Sequence, residues 1–254
     1  MPLLKDLTSF LHYWLKAQTL HSIHSPFVFQ LCDQVILANK HYYDFDEIET
    51  LFEPLTNNNT LIDQLGETDF SDSFRPTVRQ VIHRFEPSES VRHLLYKLVD
   101  FFCPQTVVVM GSNTGIATRY LAKGWHKSRL LSIEPCKQLA EISTEMMRDL
   151  QYVEIINENW QTGIATVIKK LTPIDFLWLN ARHAGMNYII FEQLVSALHS
   201  QSVVAFHLPC RALAEPLWKQ VVANPHVRFS IDLWKIGLAF FNRQQPKQHF
   251  VLRW

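Results

Sequence analysis

Apolar positions along the chain fall into two regimes. Over the first hundred residues they recur every three or four places. Leu3, Leu4, Leu7, Phe10, Leu11, Trp14 and Leu15 form one stripe, the spacing of an amphipathic helix. Ser25 followed by Pro26 reads as a helix start, with a hydroxyl to cap free N–H groups and a proline suited to the first turn. The run DFDEIETLFEPL predicts a third helix that closes at Pro54, and SESVRHLLYKLVDFF a further one with Val91, Leu94, Leu95, Leu98 and Val99 on one face. Between them, NNNTLIDQLGETDFSDSF (57–74) is polar and turn-rich, and reads as a linker or mobile loop.

From about residue 105 the period changes. TVVVM (106–110), RLLSIE (129–134), VEIIN, IDFLWLN (174–180) and SVVAFH are short apolar runs, each followed by a helical pattern ending with RALAEPLWKQVVA. Five alternations of strand and helix predict βαβ units and a parallel sheet. The near-continuous apolar strands fit a sheet covered on both faces. HVRFSIDLW and IGLAFFNR meet at a connection too short for anything but antiparallel pairing. HFVLRW reads as a further strand or a packed tail.

Composition narrows the class. Of 254 residues 47% are hydrophobic and 19% charged, which excludes a wholly disordered chain. Lys plus Arg (24) equal Asp plus Glu (24), so there is no basic footprint for nucleic acid at whole-chain level. Cys32, Cys103, Cys136 and Cys210 have no C-x-x-C spacing and read as reduced thiols of a cytoplasmic protein. No apolar stretch approaches the roughly 18 residues of a spanning helix, and the N-terminus does not read as a signal peptide. The acidic run Asp44–Glu53 and the basic run Arg75–Arg84 read as solvated helix faces.

Candidate chemistry gathers where the first strand ends, at Met110-Gly111-Ser112-Asn113-Thr114-Gly115. Two glycines four apart allow close backbone approach and a turn into a helix, whose N-terminus carries free N–H groups. Glu134 ends the next strand about twenty residues on, where a carboxylate can accept from two ribose hydroxyls. A dinucleotide loop would need glycine at the positions of Asn113 and Ile116, and no phosphate loop of the G-x-x-x-x-G-K type is present. A turn without Lys or Arg followed by a strand-terminal Glu suits a nucleoside without phosphates.

VVVMGSNTGIATRYLA resembles the first motif of class I S-adenosylmethionine-dependent methyltransferases, and LLSIEPCKQLAEIS the second. VEIINENWQTGIATVIKKL resembles their third-strand segment. IDFLWLNARHAGMNYIIFEQL and IDLWKIGLAFFNRQQPKQHF resemble the fourth-strand unit and terminal strand pair of small catechol-type O-methyltransferases. HSIHSPFVF is similar to a bacterial subgroup with an N-terminal helical extension. The resemblance covers roughly residues 91–254. It implies a Rossmann-like α/β sheet, mostly parallel with a C-terminal antiparallel pair, over 91–254, and a helical extension or cap over 1–90.

The resemblance further implies S-adenosylmethionine as cofactor. Gly111, Ser112, Asn113 and Gly115 would wrap its methionine portion, Glu134 would hold the ribose, and Asn159 and Trp160 would lie beside the adenine. Asn180 and His183 would face the transferred methyl, with His183 as candidate general base and a solvated loop histidine as the alternative. Three positions depart from the family. Val109 stands where an acid usually helps bind the methionine amino group. Asn180 stands where the metal-dependent branch has aspartate, and Phe206-His207-Leu208 replaces its acidic pair. Mg²⁺ wants oxygen ligands with carboxylate charge, so no metal site is expected, and His207 reads as an ordinary strand-end histidine.

The expected activity is methyl transfer to an oxygen or nitrogen on a small molecule, without nucleic acid or membrane as partner. The alternative is a catalytically degenerate member of the fold acting as a cofactor-binding or protein-interaction module. The apolar N-terminal helices would then serve assembly, a homodimer being one form.

Overall fold

The computed structural model describes residues 2–63, 65, 75–180, 184–244 and 246–254. The expected strand–helix alternation is present. The strands are β1 (Thr106–Met110), β2 (Arg129–Ile133), β3 (Val153–Ile156), β4 (Ile174–Leu179), β5 (Leu198–His207), β6 (Phe229–Asp232), β7 (Ile236–Phe240) and β8 (Gln248–Val251). They form one sheet in the order β3-β2-β1-β4-β5-β7-β6-β8. β3, β2, β1, β4 and β5 pair in parallel, and β7 is antiparallel to both β5 and β6. The terminal segment is a strand, β8, which runs parallel to β6.

The chain moves outward from β1 to β3 and then returns to place β4 on the other flank of β1. The switch point of the sheet therefore lies between β1 and β4, where open α/β sheets bind ligands beyond their carboxyl ends.

Alternate residues of the apolar strands feed two cores. Val107, Val109, Phe176, Trp178, Val203 and Ala205 join one cluster, while Val108, Met110, Leu177, Leu179, Val204 and Phe206 join the other. The second is covered by α8 (Trp160–Lys170), α9 (Ala184–Leu194) and α10 (Arg211–Ala223). The first is covered by α5 (Glu89–Phe102) and α6 (Ile116–Gly124). It also takes residues of α2 (Pro26–Leu31), the π-helical turn Cys32–Ile36 and α3 (Tyr43–Thr56). The N-terminal helices thus share one apolar cluster with the sheet.

Several local expectations are corrected. α3 runs past Pro54 to Thr56 rather than closing at the proline; in the last turn only one internal bond is lost. β5 begins at Leu198, four residues before the run SVVAFH expected as its strand, and a register shift opposite Ile174 and Phe176 accommodates the extra residues. The acidic run on α3 is not simply solvated. Glu49 accepts from Arg92 Nη2 at 2.6 Å and Tyr120 Oη at 2.8 Å, Asp44 accepts from Tyr96 Oη at 2.7 Å, and Glu47 meets Lys123 at 3.0 Å. These bonds dock α3 onto α5 and α6.

The expected linker 57–74 lies partly outside the described residues. Within it, Ile62 and Leu65 are buried in one cluster with Val78, Val81 and Phe85 of α4 (Val78–Phe85), with Leu139 of α7 (Lys137–Met146) and with Cys136, which precedes that helix. Among the described residues no helix is long and apolar enough to cross a membrane.

Phe176 is fully buried in the middle of β4. Phe176→Ala is expected to lower stability by about 3–5 kcal/mol, read as a drop in the urea midpoint with little change in slope.

Candidate functional site

The site is built at the carboxyl ends of β1, β2, β4 and β5. Gly111 donates its N–H to Ile133 O, Asn180 to Met110 O and Glu134 to Ile156 O, at 2.9, 2.9 and 3.0 Å. These ladder bonds set the register of the residues that follow the strands.

The turn after β1 has three residues with positive φ: Gly111 (93°), Asn113 (50°) and Gly115 (94°). A side chain at Gly115 would be strained by that φ, and a Cβ there would also sit 2.7 Å from Ser143 Oγ on α7. Glycine is therefore required twice over, by backbone conformation and by helix approach. The Gly115 carbonyl then accepts from Arg119 N at 2.9 Å and opens α6.

Two carboxylates clasp this turn. Glu134 faces it, with Oε2 accepting from Asn113 N–H at 2.8 Å and Oε1 from Cys136 N–H at 2.9 Å. Asn157 Nδ2 donates to the carbonyls of Glu134 and Pro135 at 2.8 and 3.0 Å, tying the end of β3 to the same corner. From the opposite side comes Glu86, the residue that ends α4. Its Oε1 accepts from both Thr114 N–H at 2.8 Å and Thr114 Oγ1 at 2.6 Å. Burial pushes the Glu86 carboxyl up to about 7 against the opposing pull of the Thr114 bonds.

Asn180 and His207 meet across the ends of β4 and β5. His207 Nδ1 lies 2.7 Å from Asn180 Oδ1. With the amide oxygen as acceptor, Nδ1 carries the proton. Burial, with Lys235 adding to it, lowers His207 to about 3, so its imidazole is neutral at ordinary pH. His207 is thus a buried partner of Asn180 and not the plain strand-end residue that the sequence suggests.

The other expected residues are placed as follows. Ser112 and Asn113 are buried in the turn. Asn159 is exposed and caps α8, its Oδ1 accepting from Thr162 N–H at 3.0 Å. Trp160 is half-buried at the start of that helix, beside the second core. His183 lies outside the described residues. Among the described residues no group of three or more His, Cys, Asp or Glu could hold a metal ion.

Three buried polar atoms around the turn have no hydrogen-bond partner: Ser112 Oγ, Asn180 Nδ2 and Glu86 Oε2. An unmade bond of this kind costs about 1–3 kcal/mol, more for a charged group, so each of these atoms calls for a polar partner. Glu86 and Asn157 escaped sequence reading, since no periodicity links either to the glycine turn.

Solved structures of similar fold include methyltransferases. The O-methyltransferase from Bacillus cereus, solved in complex with SAH, superposes with a TM-score of 0.57 at 15% identity, over 83% of this chain and 94% of that one. TomG, an O-methyltransferase from Streptomyces achromogenes involved in tomaymycin synthesis and solved with SAM, gives 0.57 at 14% identity over 80% and 91%. A methyltransferase from Geobacter sulfurreducens gives 0.52 at 19% over 64% and 84%.

The chain has the class I methyltransferase fold. No family model matches it, and neither does any curated protein sequence. At these identities the methyltransferase likeness is one of architecture, a mostly parallel sheet with antiparallel C-terminal strands.

His207 makes stability depend on acid. The unfolded imidazole takes a proton near pH 6.5, the folded one only near 3, so folding is weakened as pH falls between those values, by up to about 1.4 kcal/mol per pH unit. The stability difference between the wild type and His207→Gln is expected to shift in the variant's favour from pH 6.5 to 4.5. Urea titrations at several pH values measure it, and a pH-independent difference would contradict the assignment.

Proposed function

We propose that the protein transfers a methyl group from S-adenosylmethionine to an oxygen or nitrogen nucleophile on a small molecule, without a metal. The observation that carries this reading is the glycine turn at the switch point, clasped by Glu134 and bordered by the unpartnered atoms Ser112 Oγ and Asn180 Nδ2. It is supported by the fold's occurrence in proteins solved with SAM or SAH.

On this reading Gly111, Ser112, Asn113 and Gly115 hold the methionine portion, Glu134 the ribose, and Asn159 and Trp160 border the adenine. The bound cofactor supplies an activated methyl on a sulfonium. The chain's own contribution is alignment of nucleophile and methyl, which accounts for much of the acceleration in such transfers. The family resemblance gives Asn180 a place beside the transferred group and His183 the role of base. Metal independence rests on donor chemistry: the Asn180 amide oxygen is already engaged by His207, and neither side chain brings the charge that Mg²⁺ wants. Glu134 and Asn113 have no exposed surface.

Calorimetry with S-adenosylmethionine and S-adenosylhomocysteine tests the reading. Saturable binding to the wild type is expected, with loss of more than a hundredfold in Gly111→Val and about tenfold in Ser112→Ala. No binding up to millimolar concentration would sink the enzyme reading and leave the fold as an interaction module. A chelator is expected to leave turnover unchanged; loss on chelation with rescue by Mg²⁺ would overturn metal independence.

A further inference from the structure

We propose that Glu86, contributed by the N-terminal extension, receives the positively charged amino group of the cofactor's amino-acid portion. This rests on the methyltransferase reading above and extends it to a residue outside the glycine turn and the strand ends.

One carboxylate at the turn is only half used. Glu86 Oε1 takes both donors that Thr114 offers, while Oε2 is buried and has no partner. Capping of the turn accounts for the first oxygen and leaves the second unexplained. Arg92 of α5 spends Nη2 on Glu49 at 2.6 Å and Nη1 on the Pro87 carbonyl at 2.8 Å, and its buried Nε makes no hydrogen bond to Glu86. The strand itself supplies no acid, since Val109 is wholly buried in the first core. The other carboxylate at the turn, Glu134, is held on the β2 side by the N–H groups of Asn113 and Cys136. A desolvated carboxylate oxygen beside a ligand turn is best matched by a cationic N–H donor, which restores the lost hydrogen bond and the charge balance together.

The protonation state fits that role. Burial and the Glu134 charge raise Glu86, the Thr114 bonds and Arg92 lower it, and the balance leaves it at about 7 in the free protein. An arriving ammonium favours the ionised carboxylate, so below pH 7 binding expels the carboxyl proton to solvent. The amino-acid portion enters with its own charges unchanged.

The test compares S-adenosylhomocysteine with methylthioadenosine, which keeps the nucleoside and thioether and lacks the amino-acid head. In wild-type protein at pH 6.5, calorimetry in buffers of different ionisation enthalpy should show proton release with S-adenosylhomocysteine and none with methylthioadenosine. In Glu86→Gln, affinity for S-adenosylhomocysteine should fall about ten- to a hundredfold, methylthioadenosine should bind as before, and the proton release should vanish. Equal loss for both ligands, or no loss for either, overturns the role of Glu86 while leaving the methyltransferase reading intact. A wild type that binds neither ligand overturns both. Should the variant fail to fold, the wild-type comparison decides: no difference in proton release between the two ligands refutes the proposal.

Discussion

Buried carboxylates must find donors, and at the end of β1 the donors are backbone N–H groups of one short turn. Glu134 takes Asn113 N–H from one side and Glu86 takes Thr114 N–H from the other. Each acid alone would carry a large desolvation penalty. Each is tolerable because the positive φ values at Gly111, Asn113 and Gly115 point successive N–H groups outward, in the manner of an anion-binding nest. The glycines therefore do more than permit a bend. They convert a strand end into the place where acids from β2 and from the N-terminal region converge.

That convergence needs the N-terminal region to be positioned with the same accuracy as the sheet. Apolar contact supplies it. Ile48 and Phe52 of α3 lie in the same cluster as Val107 of β1, Leu94 of α5 and Tyr120 of α6. The acids of α3 then fix rotation, because Glu49 reaches both Arg92 and Tyr120. α4 packs its buried face on Cys136 and Leu139, the two residues that flank the start of α7, and so delivers Glu86 to Thr114.

The sheet was legible in the chain because doubly buried parallel strands leave a simple signature: short apolar runs separated by helical spacing. The glycine turn and Glu134 were legible for a related reason, since both occupy strand ends whose spacing the sheet imposes. What stayed hidden depends on tertiary contact. The acids of α3 look like any solvated helix face until α5 and α6 present Arg92, Tyr96, Tyr120 and Lys123 to them. Ile62 and Leu65 sit in a polar, turn-rich stretch whose composition outweighs two apolar residues, yet both are buried. Glu86 precedes a proline at a helix end, a position that reads as a boundary and gives no hint of a partner 28 positions away. His207 is a strand-terminal residue whose meaning comes only from its neighbour in space, Asn180.

Glu86 and His207 also pull the pH response of the fold in opposite directions. A buried acid raised to about 7 is protonated first in the folded state, so it favours folding as pH falls from 7 toward 4.5; a buried imidazole lowered to about 3 opposes folding below 6.5. Between pH 4.5 and 6.5 the two slopes offset one another. Both shifts come from desolvation at a site that holds more polar atoms than the protein can satisfy. A core built only for stability would carry an apolar residue at either place, because burying an ionisable group costs more than packing a hydrocarbon of like volume. Glu86 at the end of α4 and His207 at the end of β5, with Ser112 Oγ and Asn180 Nδ2 also unpartnered, make the arrangement expected where a polar ligand completes the structure.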